Sequence, residues 1–172
     1  MRIERFVAAS VVAFFCCVTA QAAAAPRPAG VAKAVKDTAA ICTEVGGKAD
    51  TTNSIKRADL NGDGIEDYVL DVGSVNCDGA ASVYGDREKG VLVYVGDGKG
   101  GATEAFNDMS YGMTLEGTGT AAKLWLTVSG QQCGKPPAKD FASENFCNRA
   151  VVWNGKTWKF DWAPVSSVRM IQ

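Results

Sequence analysis

Histidine is absent from all 172 residues. That absence removes the Ser-His-Asp and Cys-His nucleophile systems and every metal site built on imidazole. No two cysteines stand in a Cys-x-x-Cys pair, so a zinc ribbon or knuckle has no ligand set. Lys and Arg number 18 against 19 Asp and Glu, a net charge of -1, and they form no cluster or stripe. A nucleic-acid partner therefore has no electrostatic footprint here. Long hydrophobic runs are also lacking: no apolar stretch reaches the roughly 20 residues that a membrane-spanning helix needs. Proline is sparse, at 5 residues, while glycine is plentiful at 19 and apolar residues make up 47% of the chain. Such a composition belongs to one folded domain with a real core rather than to a disordered chain.

The first residues read as an address rather than as part of the fold. Arg2 and Arg5 give a positive start, Phe6 to Ala20 is apolar, and Ala20-Gln21-Ala22 is a small-x-small cleavage site. Residues 1–22 are expected to be a secretory signal peptide, residues 23–30 a flexible lead, and 31–172 a single domain. Phe14 and Phe15 stand before Cys16 and Cys17, where a lipobox wants small residues, so lipid attachment is disfavoured. Export, to the periplasm or beyond, leaves Cys42, Cys77, Cys133 and Cys147 in an oxidising compartment. Four cysteines allow three pairings, and the sequence does not choose among them. The favoured pairs are Cys133 with Cys147, which closes a loop containing glycine and proline, and Cys42 with Cys77.

Val31, Val35, Ala39, Cys42 and Val45 recur at three- and four-residue steps, the period of one helix face, and Gly46-Gly47 supplies the stop. The period then changes. Tyr68–Val72, Val91–Val95 and Leu124–Val128 are short, β-branched runs between turn residues, as buried strands are. Ala150–Trp153 and Thr157–Trp162 flank Asn154-Gly155, a hairpin signal. The expected fold is α+β: one N-terminal helix packed on a mostly antiparallel sheet of about six to eight strands, stabilised by disulfides. Trp125, Trp153, Trp158 and Trp162 all fall in the later strands, where aromatic rings commonly supply core area.

Residues 59–67, Asp-Leu-Asn-Gly-Asp-Gly-Ile-Glu-Asp, carry the most chemistry. Asp59, Asn61, Asp63 and Asp67 stand at alternate or near-alternate positions, and Gly62 and Gly64 let the backbone curl around a point. Three carboxylates that close repel one another unless a cation sits among them, and a hard ion with a flexible oxygen shell, Ca²⁺, suits the set. The expected ligands are the side chains of Asp59, Asn61, Asp63 and Asp67, the carbonyl of Ile65, and water. The spacing follows the start of an EF-hand, but its twelfth position is Leu70 instead of a bidentate glutamate, and strand rather than helix follows. Affinity is then expected in the weak extracellular range, roughly 10⁻⁴ to 10⁻³ M.

Ala58 to Leu70, followed by Val91-Leu92-Val93-Tyr94-Val95-Gly96-Asp97-Gly98 and Phe106, resembles the calcium loop of FG-GAP/VCBS-type repeats. The resemblance implies calcium ligation by Asp59, Asn61, Asp63, Ile65 and Asp67. Such repeats normally occur in multiples that build a propeller, whereas this chain carries one copy. Its ending, with Cys133-Gly134, Cys147 and Val152-Trp153-Asn154-Gly155, is similar to small exported bacterial proteins that bear one such loop. Gly96-Asp97-Gly98-Lys99-Gly100-Gly101 formally matches Gly-x-Gly-x-x-Gly, but a returning strand is expected after it where a dinucleotide site needs a helix. The sequence therefore reads as a non-enzymatic, exported calcium-binding protein. Two other readings stand behind it: a module that binds an envelope polymer or protein through exposed tryptophans, and a carboxylate-dependent hydrolase.

Overall fold

Pro28 leads directly into helix α1, Ala29–Glu44, in a computed structural model that describes residues 26–171. Residues 1–22, expected from sequence to be a signal peptide, and the start of the lead segment lie outside the described residues. Ala29 and Gly30, placed in that lead by sequence, form the first helical turn. Among the described residues no side chain caps the helix at its N-terminus, so packing holds it. Val31, Val35, Thr38 and Cys42 form its buried stripe, and Tyr84 anchors its middle by donating from its hydroxyl to the Thr38 carbonyl at 2.9 Å.

Among the described residues eleven strands follow, more than the sequence suggests, and every pairing among them is antiparallel. Strands β1 (Lys48–Asp50) and β4 (Asn76–Asp78) form a short ribbon beside the helix. Strands β2 (Ile55–Ala58), β3 (Asp67–Asp71), β5 (Lys89–Gly96) and β6 (Ala102–Ser110) make a four-stranded sheet in the order β2-β3-β5-β6. Strands β7 (Gly112–Glu116), β8 (Lys123–Ser129), β9 (Phe146–Asn154) and β10 (Lys159–Trp162) make a second sheet, and β11 (Arg169–Met170) also pairs with β9.

The sheets pack face to face because their inward positions alternate with outward ones, as pleating requires. Val69, Val91, Val93, Ala105 and Phe106 from the first sheet meet Leu124, Leu126, Val128, Val151 and Phe160 from the second. The neighbouring positions Leu70, Leu92 and Tyr94 point the other way, toward α1. The first sheet is thus covered on both faces, giving a helix–sheet–sheet stack. A bulge lies opposite Val93 and Tyr94, where β6 skips a residue in the register. It lets consecutive Ala105 and Phe106 both turn inward.

Cys42 is bonded to Cys77, tying the end of α1 to the ribbon, and Cys133 is bonded to Cys147, tying the end of β8 to β9. In the loop-entropy account, cross-links across separations of 35 and 14 residues stabilise by about 4 and about 3 kcal/mol.

Three tryptophans serve the core or its edges. Trp125 is buried beneath the Arg169 guanidinium, Trp162 donates its indole N–H to Asp108 at 3.0 Å, and Trp153 packs on Phe160 with ring centroids 5.0 Å apart. Trp158 differs. Sequence placed it in a strand, but the β9–β10 hairpin has a four-residue loop, 155–158, and Trp158 closes it at φ +55°. Its N–H donates to the Asn154 carbonyl at 2.9 Å, a five-residue turn that demands a left-handed residue at its end. That conformation costs an L-residue about 1–2 kcal/mol.

Candidate metal centre

The 59–67 loop joins β2 to β3 as an antiparallel hairpin, so its residues hang from the end of the sheet. Gly62 and Gly64 both have φ near +80°, the left-handed bends that turn the side chains on either side of them inward. Asp59 accepts from the N–H of Gly62 on one oxygen (2.7 Å) and of Gly64 on the other (2.8 Å). Asn61 Oδ1 accepts from Asp63 N–H at 3.0 Å, and Asp63 Oδ1 accepts from Ile65 N–H at 2.7 Å. Asn61 also donates its side-chain amide to Asp63 Oδ2 at 3.0 Å. The loop is wrapped around its own oxygens.

Asp67, the first residue of β3, does something else. Its Oδ2 accepts from Leu60 N–H at 2.9 Å and its Oδ1 from Gly96 N–H at 3.1 Å. The second contact crosses to the end of β5, so Asp67 clamps the 59–67 loop to the β5–β6 turn. Its side chain is fully buried, and burial pushes its carboxyl above the ordinary range while the Leu60 and Gly96 N–H groups pull it part of the way back. Gly96 has to be glycine for this contact, because a Cβ there would stand 2.3 Å from the Glu66 carbonyl oxygen. Sequence reading assigned Gly96 only to a turn; its role as the donor facing Asp67 carries no local signal.

Asp59 is only 7% exposed and Asp67 is 0% exposed. Among the described residues no basic side chain pairs with Asp59, Asp63 or Asp67; the nearby Arg57 pairs with Glu66 instead, at 3.4 Å. Among the described residues, too, no three His, Cys, Asp or Glu side chains converge closely enough to hold a metal ion between them. The loop carries hard oxygen donors that have no basic partner among the described residues, but their carboxylates are not gathered around one point. The arrangement differs from the expected ligand shell in that both Asp67 oxygens face backbone N–H groups. Ile65 enters the loop through its N–H, and its side chain lies under Gly98 in the neighbouring turn.

That turn is the glycine-rich segment after β5. Asp97 Oδ1 accepts from the N–H groups of Lys99 (2.7 Å) and Gly101 (2.8 Å), which hold its carboxyl below the usual range. Antiparallel β6 follows, so Gly-x-Gly-x-x-Gly here is a hairpin turn. Between the two turns and the β9–β10 hairpin lies a groove of about 400 Å³, lined by Asp63, Ile65, Val95, Asp97, Trp153 and Trp158 among others.

No protein-family model matches this chain, and neither the curated proteins nor the solved structures include a match to it. The two disulfides accord with an oxidising compartment, and among the described residues no helix is long and apolar enough to cross a membrane.

Proposed function

We propose that this is an exported, non-enzymatic calcium-binding protein whose 59–67 loop takes up Ca²⁺ weakly and for structural effect. The observation that supports it most is the pair of buried carboxylates, Asp59 and Asp67, with no basic partner among the described residues. Buried charges are ordinarily paired or bound to metal, because an isolated one loses its hydration for nothing. Each carboxylate oxygen of Asp59, Asp63 and Asp67 accepts a hydrogen bond and keeps capacity for a second interaction. The internal N–H contacts fix the orientation of Asp59 and Asp63 on the curled loop before any ion arrives. Binding requires the Asn61–Asp63 side-chain contact to open so that both present oxygen, an internal cost that keeps affinity low.

In this reading Asp59, Asn61, Asp63, the Ile65 carbonyl and water hold the ion, with Asp67 closing the shell or supporting it from behind. The ion pins the β2–β3 hairpin against the β5–β6 turn. Residues 1–22 deliver the chain to the periplasm or outside the cell, where calcium is plentiful.

The test is a calorimetric titration with Ca²⁺ together with melting curves in calcium and in chelator. At tenfold excess over Kd, binding adds about 1.4 kcal/mol. For a chain of this size that is a rise in Tm of roughly 3–6 °C. Absence of both heat and shift in millimolar calcium overturns the reading.

A further inference from the structure

The groove beside the metal loop is a second candidate site with its own chemistry, independent of whether calcium binds. Four observations converge on it. Trp158 is 75% exposed, the largest exposure among the large hydrophobic side chains of the described residues. It is held there by a left-handed backbone, φ +55°, that a glycine or asparagine would adopt with less strain. Strain stored at an exposed aromatic is a mark of use rather than of packing. Its ring meets Trp153 at 6.1 Å and 83°, so two indole planes form a corner. The corner opens on a cavity of about 400 Å³, within the range of small-ligand sites.

The rest of the lining decides the ligand class. Ile65, Val95 and Ala105 give an apolar floor, while Asp63 and Asp97 supply the charge, and no lysine or arginine among the described residues lines the cavity. Lys159, on the same hairpin as Trp158, lines a different cavity with Glu104 and Phe160. Indole faces attract cations through the ring quadrupole, and an apolar, acid-rimmed corner favours a cation that carries methyl groups over a strongly hydrated one. A phosphate or carboxylate ligand would meet like charge.

We propose that this groove binds an organic cation, an alkylated ammonium group seated against Trp153 and Trp158 with Asp97 as its counter-charge. Asp63 adds field at the rim but is shared with the metal loop, so the counter-charge role is assigned to Asp97.

The experiment uses choline as the cation and 3,3-dimethylbutan-1-ol as its uncharged isostere, followed by indole N–H shifts in NMR spectra. All titrations are made in chelator, so that failure of the calcium reading leaves them unaffected. Choline is expected to shift the Trp158 and Trp153 signals and the isostere to bind at least about tenfold more weakly. Trp158→Gly keeps the turn and removes the ring; it should lose choline binding about tenfold or more while remaining folded. Asp97→Asn keeps the oxygen that Lys99 and Gly101 N–H groups use, and should weaken choline while leaving the isostere unchanged. Equal binding of choline and its isostere overturns the proposal. So does undiminished choline binding in Trp158→Gly, or the absence of any shift at the two indoles in excess choline.

Discussion

Loop 59–67 and loop 155–158 stand on either side of the same groove. The first turns its polar side chains inward onto its own backbone N–H groups, and the second turns an indole out into water. Both use left-handed residues. In the first they are Gly62 and Gly64, where φ near +80° is cheap; in the second it is Trp158, where φ +55° is not. Strain placed on glycine serves the fold, and strain placed on a tryptophan serves whatever the tryptophan touches. One rim of the groove is thus built for stability and the other at its expense.

Substitutions at Asp67 and Gly96, on the 59–67 side of the groove, should therefore cost far more than a substitution on the indole side. Asp67→Ala should be the most damaging, because it strands the Leu60 and Gly96 N–H groups inside the fold. Its cost is about 3 kcal/mol in chemical denaturation, and Asp67→Asn, which keeps one acceptor, should recover part of it. Gly96→Ala comes next, at about 2 kcal/mol, since its methyl meets the Glu66 carbonyl and the backbone must shift. Asp63→Ala should change stability in chelator by about 1 kcal/mol or less, as Asp63 is exposed. The same variant should erase the calcium-dependent rise in Tm, which separates the ion's contribution from the loop's own bonds. Trp158→Gly should have the smallest effect, within about 0.5 kcal/mol of zero, relief of strain offsetting the lost edge contact with Trp153. A loss of 2 kcal/mol or more there would make Trp158 a packing residue and erase the contrast.

The elements that the sequence made legible are those with a strong period or a punctuating glycine. Val31, Val35 and Cys42 do form the helix stripe, and β3, β5, β8 and β9 contain the β-branched runs that announce them. The helix-on-sheet, disulfide-bonded α+β class follows from them. Three features were not legible. That the strands split into two facing sheets depends on which faces meet, and period-2 alternation says only that two faces exist. The hairpin after β9 announces itself through Asn154-Gly155, yet the turn is longer than the dipeptide implies and Trp158 leaves the strand. Backbone handedness at a tryptophan has no compositional sign. For loop 59–67, residue types and spacing mark the oxygen-bearing side chains, while the diversion of Asp67 toward Gly96 depends on a contact spanning 29 residues. Local spacing could not reveal it.

Four indoles in four different surroundings also make the chain its own optical instrument. Trp125 is shielded, Trp162 donates to a carboxylate, and Trp153 lies against Phe160, whereas Trp158 alone of the four is largely in water. The long-wavelength edge of the native emission therefore belongs to Trp158, and exciting at the red edge selects it without any label. Global unfolding moves the other three toward that edge, while an event confined to the groove changes the edge alone. Quenching by a small neutral quencher such as acrylamide should accordingly be biphasic, one indole responding early and three late.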